Sequence, residues 1–337
     1  MVGNTAVTHL NRRGVLRATG GLAAALAAAS AGSALAACGG AAGPSIGSPE
    51  KPLEMAFTPS TDTQKILATG KPLADLLEKE TGYKINTTVP TAYAPLIEAM
   101  GVAKVDVGWL APFQYSVAHQ RNGAEVILAT VRQGSKTYVS EIITQADSGI
   151  KKLDDLKGKR FAFVDELSSS GFLYPAALIK EKFGTSAQQF FSQVVYAGGH
   201  DKVVIAVYNK QVDGGATFGN SNPSGPETAA RTTVQGTLPD VLQKVVKIAE
   251  TDPIPNDTVS VRKGLPKEVV DKVKNGLLKI AGSDQGKKLL KDLYQIDGLA
   301  AASDSDYAPL RKKADLIGLD IEVAAKIKPA PTATTAK

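Results

Sequence analysis

The 337-residue chain is 43% hydrophobic and 21% charged, an ordinary globular composition that excludes a disordered polymer and leaves material for two folded lobes. Its +6 formal charge includes Arg12, Arg13 and Arg17 within the first 37 residues, so the remainder carries 36 basic against 33 acidic residues, or +3. That is no nucleic-acid footprint, and lysines dispersed among acids, as in KKLDDLKGKR, mark a solvated face.

Residues 1–37 run from a basic start through an apolar Ala/Leu/Gly stretch to small residues before Cys38, the order of an export signal. Arg12-Arg13 followed by Val15 and Leu16 resembles a twin-arginine leader, with Gly14 as a departure. A membrane anchor is the alternative, weakened by the dominance of alanine and glycine. Cys38 is the only cysteine, so no intramolecular disulfide can form. It stands in Leu35-Ala36-Ala37-Cys38-Gly39, which resembles a bacterial lipoprotein processing box, and its thiol is expected to carry lipid. A free thiol or an intermolecular bridge is the alternative. Residues 38–51 read as a Gly/Ala/Ser/Pro tether and 328–337 as a frayed tail.

From residue 52, apolar runs alternate with helical patterns: LEMAF then KPLADLLEKE, KINTTV then YAPLIEAM, VDVGWL then APFQYSVAHQ, and EVILATV. A second series starts at residue 159 with KRFAFV, a serine turn and GFLYPAALIKEKF, followed by QVVYA, GHDKVVIAVYNK and VDGGATF. The alternation predicts two α/β lobes around central sheets. After about residue 245, KVVKIAE, TDPIPND and TVSVRK precede helices from Pro266 to about Leu316 that return to the first lobe. The expected boundaries are 52–141 plus 253–327 for lobe 1 and 142–252 for lobe 2, with crossings near 141–146 and 248–256.

Ligands of α/β sheets bind beyond the carboxyl ends of strands, where helix N-termini point. Four polar turns should therefore converge: Thr91-Ala92-Tyr93, Trp109 to Tyr115, Ser168-Ser169-Ser170, and Gly198-Gly199-His200-Asp201. Each has a plain structural alternative. The serines may be read as a helix cap, Tyr93 and Tyr138 as packing residues, Trp109 as core, His200 as a cap partner and Asp201 as an answer to a helix dipole. No cysteine, histidine and carboxylate cluster has metal spacing, no GxxxxGKS/T loop is present, and SSSG is not the GxSxG elbow. Serines beside no evident base are donors rather than nucleophiles. Donors are what a tetrahedral oxyanion needs: each hydrogen bond to a charged group contributes about 1.5–3 kcal/mol, so three or four reach the ~8 kcal/mol of a micromolar site without a buried Lys or Arg.

In order and spacing, TAYAPLIEAM, KVDVGWLAPFQY, GSKTY, DSGIKKLDDLKGKRFAFVDELSSSGFLYP, VVYAGGHDKVVIAVYNKQVDGGA and DPIPNDTV resemble the phosphonate/phosphite/phosphate substrate-binding proteins of ABC importers, from about Pro59 to Pro266. The resemblance implies an α/β, two-lobed type II periplasmic-binding fold with a hinge and an interlobe ligand cleft. It implies that Ser168, Ser169 and Ser170 hold the oxyanion, that Tyr93 and Tyr138 donate from the other lobe, that His200 completes the shell, and that Asp252 is a ligand-contacting acid. SSSG stands where relatives often show Ser-Thr-Ser-Gly, and Thr251-Asp252 stands where serine is more usual. The implied protein is exported, monomeric and lipid-anchored through Cys38 on the outer face of the cytoplasmic membrane. It would close over a small phosphorus oxyanion and present it to a membrane permease, with no nucleic acid, metal, cofactor or catalysis. A sensory module for the same anions and an enzyme on this scaffold are the alternatives.

Overall fold

The computed structural model describes residues 44–220 and 229–319, so the expected export signal, Cys38 and the 328–337 tail lie outside the described residues. The chain opens with β1 (Leu53–Phe57), α1 (Thr63–Thr81), β2 (Ile85–Thr88), α2 (Tyr93–Gly101), β3 (Val107–Leu110), α3 (Pro112–Asn122) and β4 (Glu125–Val131). It continues through β5 (Thr137–Gln145), β6 (Arg160–Phe163), α4 (Tyr174–Phe183), α5 (Ala187–Phe190), β7 (Gln193–Tyr196), α6 (His200–Tyr208), β8 (Gly214–Gly219), α7 (Val241–Lys244), β9 (Val245–Glu250) and β10 (Ile254–Pro255). β11 (Thr258–Val261), α8 (Lys267–Gly282), α9 (Asp284–Tyr294), β12 (Gly298–Ala300) and α10 (Ala308–Leu316) follow.

Two sheets result, ordered β12-β4-β11-β3-β1-β2 and β10-β5-β8-β6-β7, with β9 also on β5. In the first, β1 runs parallel to β2 and β3, while β11 returns antiparallel between β3 and β4. Side-chain alternation on β1 divides its two faces. Leu53, Met55 and Phe57 point to a core closed by α1, α8 and α9, and Ala56 points to the layer of α2 and α3. The second sheet is packed on one face by a phenylalanine cluster with α4 and α5, and on the other by Val203, Val204 and Val207 of α6. One buried cluster continues from Phe113 and Tyr115 of the first lobe through Leu167, Leu173 and Tyr174 of the second to Tyr307 and Leu310. The lobes therefore share apolar packing along one side, with α10 against both α3 and α4.

Two expectations are corrected. The chain leaves the first sheet at 132–136, not near 141–146, because β5 begins at Thr137 and pairs with β8 and β10, and it returns at 256–257, at the end of the expected 248–256. The physical reason is the turn at Gln133-Gly134, with φ of +50 and +71, which ends β4 ten residues before the expected boundary region opens. Tyr138 consequently sits on the second lobe's sheet, not on the opposite lobe from the serines.

Residues 44–51, expected as a featureless tether, instead close a turn. Gly47 N donates to Lys51 O and Lys84 N donates to Gly47 O, both at 2.8 Å. Ile46, the one large apolar residue of that stretch, packs beside Tyr83 on the first core. Gly47 has φ +87, and a Cβ there would overlap the Tyr83 ring, so glycine alone fits.

Candidate functional site

The serine turn owes its shape to its own hydroxyls. β6 ends at Phe163, and Ser168 caps a five-residue π turn, Ser169–Leu173, by accepting a hydrogen bond from Gly171 N at 3.0 Å. The first amides of such a turn, those of Ser169 and Ser170, have no partner within it. All three serines are buried. Glycine at 171 is required by close approach, since a Cβ would overlap Val164 and stand 2.7 Å from Ser168 Oγ. Gly171→Ala is expected to destabilise the fold by about 1–3 kcal/mol in urea denaturation. An unchanged midpoint would show that the turn is not held this tightly.

Around this turn lies a cavity of about 710 Å³. Tyr93, Tyr138, Ser168, Ser170 and His200 all line it, together with residues of α1, α9 and the 233–237 segment. Tyr93 is the first residue of α2, held by Gln114 of α3, whose Nε2 donates to Tyr93 O at 2.8 Å. The Ser168 hydroxyl favours the Tyr93 phenolate and those of Ser170 and Ser169 the Tyr138 phenolate, each against the larger opposing effect of burial. Burial pushes both phenols well above the usual tyrosine range, with the carboxylates of Asp165 and Asp257 adding to Tyr93 and Tyr138 respectively. Both remain protonated donors at physiological pH.

His200 begins α6 and is 4% exposed. Its Nδ1 lies 2.9 Å from Thr217 Oγ1, and its ring packs edge-on to Phe218. Burial, aided by the Arg132 charge, lowers its pKa to about 3, so the imidazole is neutral. In the tautomer whose Nδ1 accepts from the Thr217 hydroxyl, Nε2 carries the proton and is an uncharged donor.

Ser169 behaves differently from its neighbours. Its Oγ accepts from Phe113 N at 2.8 Å, capping α3 of the other lobe, and it does not line the cavity. Two further contacts cross between lobes. His200 N donates to Ser60 O at 2.8 Å, and the Asp165 carboxylate accepts from Tyr93 N at the start of α2. The N-termini of α2, α3 and α6 are thus satisfied by the opposing lobe, and of the expected site residues those that line the cavity are Tyr93, Tyr138, Ser168, Ser170 and His200. Among the described residues no group of three or more His, Cys, Asp or Glu side chains stands ready to share a metal ion.

The family model described as ABC transporter, phosphonate, periplasmic substrate-binding protein matches residues 55–307. The chain belongs to this family. It is 31% identical over 287 residues to the phosphate-import protein PhnD of Mycolicibacterium smegmatis, covering 79% of this chain and 86% of that one. It is also 31% identical over 270 residues to the phosphonates-binding periplasmic protein of Escherichia coli, covering 79% and 76%. A solved binding-protein component of an ABC phosphonate transporter from Pseudomonas aeruginosa superposes with a TM-score of 0.71 at 25% identity, covering 81% of this chain and 89% of that one. The fold is accordingly the two-lobed periplasmic-binding type. The phosphonate-binding family is extracytoplasmic, serves ABC transporters and consists of receptors, not enzymes. No helix among the described residues is long and apolar enough to cross a membrane.

Within this family member, Asp252 does not reach the cavity. Its side chain is 70% exposed and pairs at 2.9 Å with Lys313 of α10, which also holds Glu181 of α4 at 2.6 Å. The acid that this segment brings to the cavity is Asp257, five residues on, beside Asp62, Asp201 and Asp292 of other elements, because Ile254 and Pro255 pair with Tyr138 and Thr137 as β10 and deliver the residues after them. Sequence reasoning also missed Arg132. Its Nη2 binds Asp257, its Nε donates to Tyr294 O at 2.9 Å, and its guanidinium lies 5.8 Å from the Tyr138 ring centroid. The available signal was the Arg-Gln-Gly turn ending β4, a cation placed where the chain changes sheets.

Proposed function

We propose that the chain is a receptor that captures a small phosphorus oxyanion between its lobes and hands it to an ABC permease, tethered to the outer face of the membrane by lipid on Cys38. The observation that carries this reading is convergence: Tyr93, Tyr138, Ser168, Ser170 and His200, from four separate segments of the chain, line one cavity. Every one is an uncharged donor. The guest completes a set of hydrogen bonds drawn from both lobes, so closure is favoured by contacts that exist only when the lobes meet. The single cysteine beside a leader of export type supports the tether.

The test is calorimetric titration of the protein with phosphite, methylphosphonate, 2-aminoethylphosphonate, phosphate and sulfate. Micromolar or tighter binding of at least one phosphorus compound, with sulfate weaker, is the expected result. If no phosphorus oxyanion bound, the reading would be wrong. Palmitate labelling of the wild type in its host, lost in Cys38→Ala, checks the tether.

A further inference from the structure

Thr217 and His200 share one hydrogen bond, and its direction follows from what each atom has left to bond. Thr217 lies on β8 and is fully buried, and its Oγ1 has a single partner among the described residues, His200 Nδ1 at 2.9 Å. If Nδ1 carried the ring proton it would donate to Oγ1, and the hydroxyl hydrogen would be left in a dry site with no acceptor in reach. If Nδ1 is the bare nitrogen, the hydroxyl gives its hydrogen there and both atoms are satisfied. The first arrangement strands one buried polar group, so the second is favoured by a factor of roughly 5–150.

Two further observations complete the assignment. The imidazole is neutral, because burial and then the Arg132 charge lower its pKa to about 3, so the ring has one proton to place. Nε2 has no partner among the described residues, yet unlike Trp109 Nε1 it is not sealed from solvent, and His200 lines the cavity. A proton on Nε2 therefore sits where a guest can accept it, with Phe218 edge-on to the ring.

We propose that Thr217 is a positioning residue for the oxyanion: its hydroxyl fixes His200 as an Nε2–H donor and reserves that side of the cavity for an ionised oxygen of the guest. This rests on the phosphorus-oxyanion reading above and gives the imidazole its polarity. An ionised oxygen accepts more strongly than a protonated one, and an ammonium cannot accept at all.

The full chain has three histidines, and labelling them with 15N shows directly which ring nitrogen carries hydrogen, the signal lost in His200→Gln identifying the residue. Without ligand, near neutral pH, His200 is expected to hold its proton on Nε2 alone, and Thr217→Val to show both tautomers. Affinity is then measured by calorimetry with whichever of phosphate and methylphosphonate binds the wild type more tightly. Thr217→Val dilutes the competent tautomer and is expected to weaken binding about three- to tenfold, while Thr217→Ser, which keeps the hydroxyl, stays within about twofold of wild type. In a His200→Gln background Thr217→Val should change affinity by less than about twofold, whereas a residue that merely supports the fold would cost the same in both backgrounds. A wild-type proton on Nδ1, a serine variant as weak as the valine one, or equal losses in both backgrounds would each overturn the proposal and leave the oxyanion reading standing. Should the valine variant not fold, the wild-type tautomer and the serine variant still decide. Binding of no phosphorus oxyanion by the wild type would overturn the receptor reading, and the positioning role with it.

Discussion

Ser170→Ala is expected to weaken binding of the phosphorus oxyanion roughly ten- to a hundredfold, and Tyr138→Phe to do the same. Each removes one hydroxyl facing a charged guest, worth about 1.5–3 kcal/mol when the partner is ionised. The two residues are 1% and 7% exposed, so water does not replace the lost donor. Because the Ser170 hydroxyl also favours the Tyr138 phenolate, the double variant should lose less than the sum of the single losses. Folding should change little, since alanine and phenylalanine keep the buried shapes. Asp252→Ala serves as the control: its carboxylate is exposed and paired with Lys313, and affinity should stay within about twofold of wild type for a surface pair. Calorimetry on the wild type and the four variants decides the matter. Wild-type affinity in Ser170→Ala would remove the serine turn from the site.

Much of this arrangement was legible in the sequence because it is written in local periodicity. LEMAF, KINTTV, VDVGWL and KRFAFV became β1, β2, β3 and β6, since short apolar runs bounded by turns bury on a sheet whatever surrounds them. The serine turn was legible for the same reason: three small hydroxyl residues between a strand and a helix have few other uses. Its π geometry was not legible, because Ser168, Val164 and Gly171 settle that among themselves through packing.

What failed depended on long-range pairing. β5 is buried along almost its whole length, so no alternation showed which lobe it joined, and Tyr138 was placed on the wrong one. Asp252 and Asp257 flank the same Pro-Ile-Pro-Asn run, and only the pairing of Ile254 with Tyr138 decides which carboxylate reaches the cavity. The Arg132–Asp257 pair spans 125 residues, and the capping of α3 by Ser169 spans 56. Neither separation leaves a trace in spacing. The consequence is functional: one serine of the three spends its hydroxyl oxygen on joining the lobes, so the run serves closure as well as capture.

His200 should make the unliganded protein lose stability on acidification. Its pKa falls from an ordinary 6.5 to about 3 in the fold, chiefly through burial and then through Arg132. Between those values the unfolded chain binds more protons at this position than the folded one, so stability rises with pH. The contribution is fully present above about pH 6.5 and is lost progressively as pH falls toward 3. At 1.36 kcal/mol per pH unit the loss is roughly 2 kcal/mol by pH 5 and on the order of 5 kcal/mol near pH 3, against a total of about 5–15 kcal/mol for a folded protein. Asp165 and Asp201, whose carboxyls burial pushes up, contribute in the opposite direction, so the comparison must be differential. His200→Gln retains a neutral donor and removes the titration. Urea denaturation of both proteins between pH 4 and 8 should show the wild-type curve falling more steeply below pH 6.5, the two diverging by about 2 kcal/mol at pH 5. Parallel curves would mean that the imidazole is not held neutral in the fold, and its role as an uncharged donor to the oxyanion would go with it.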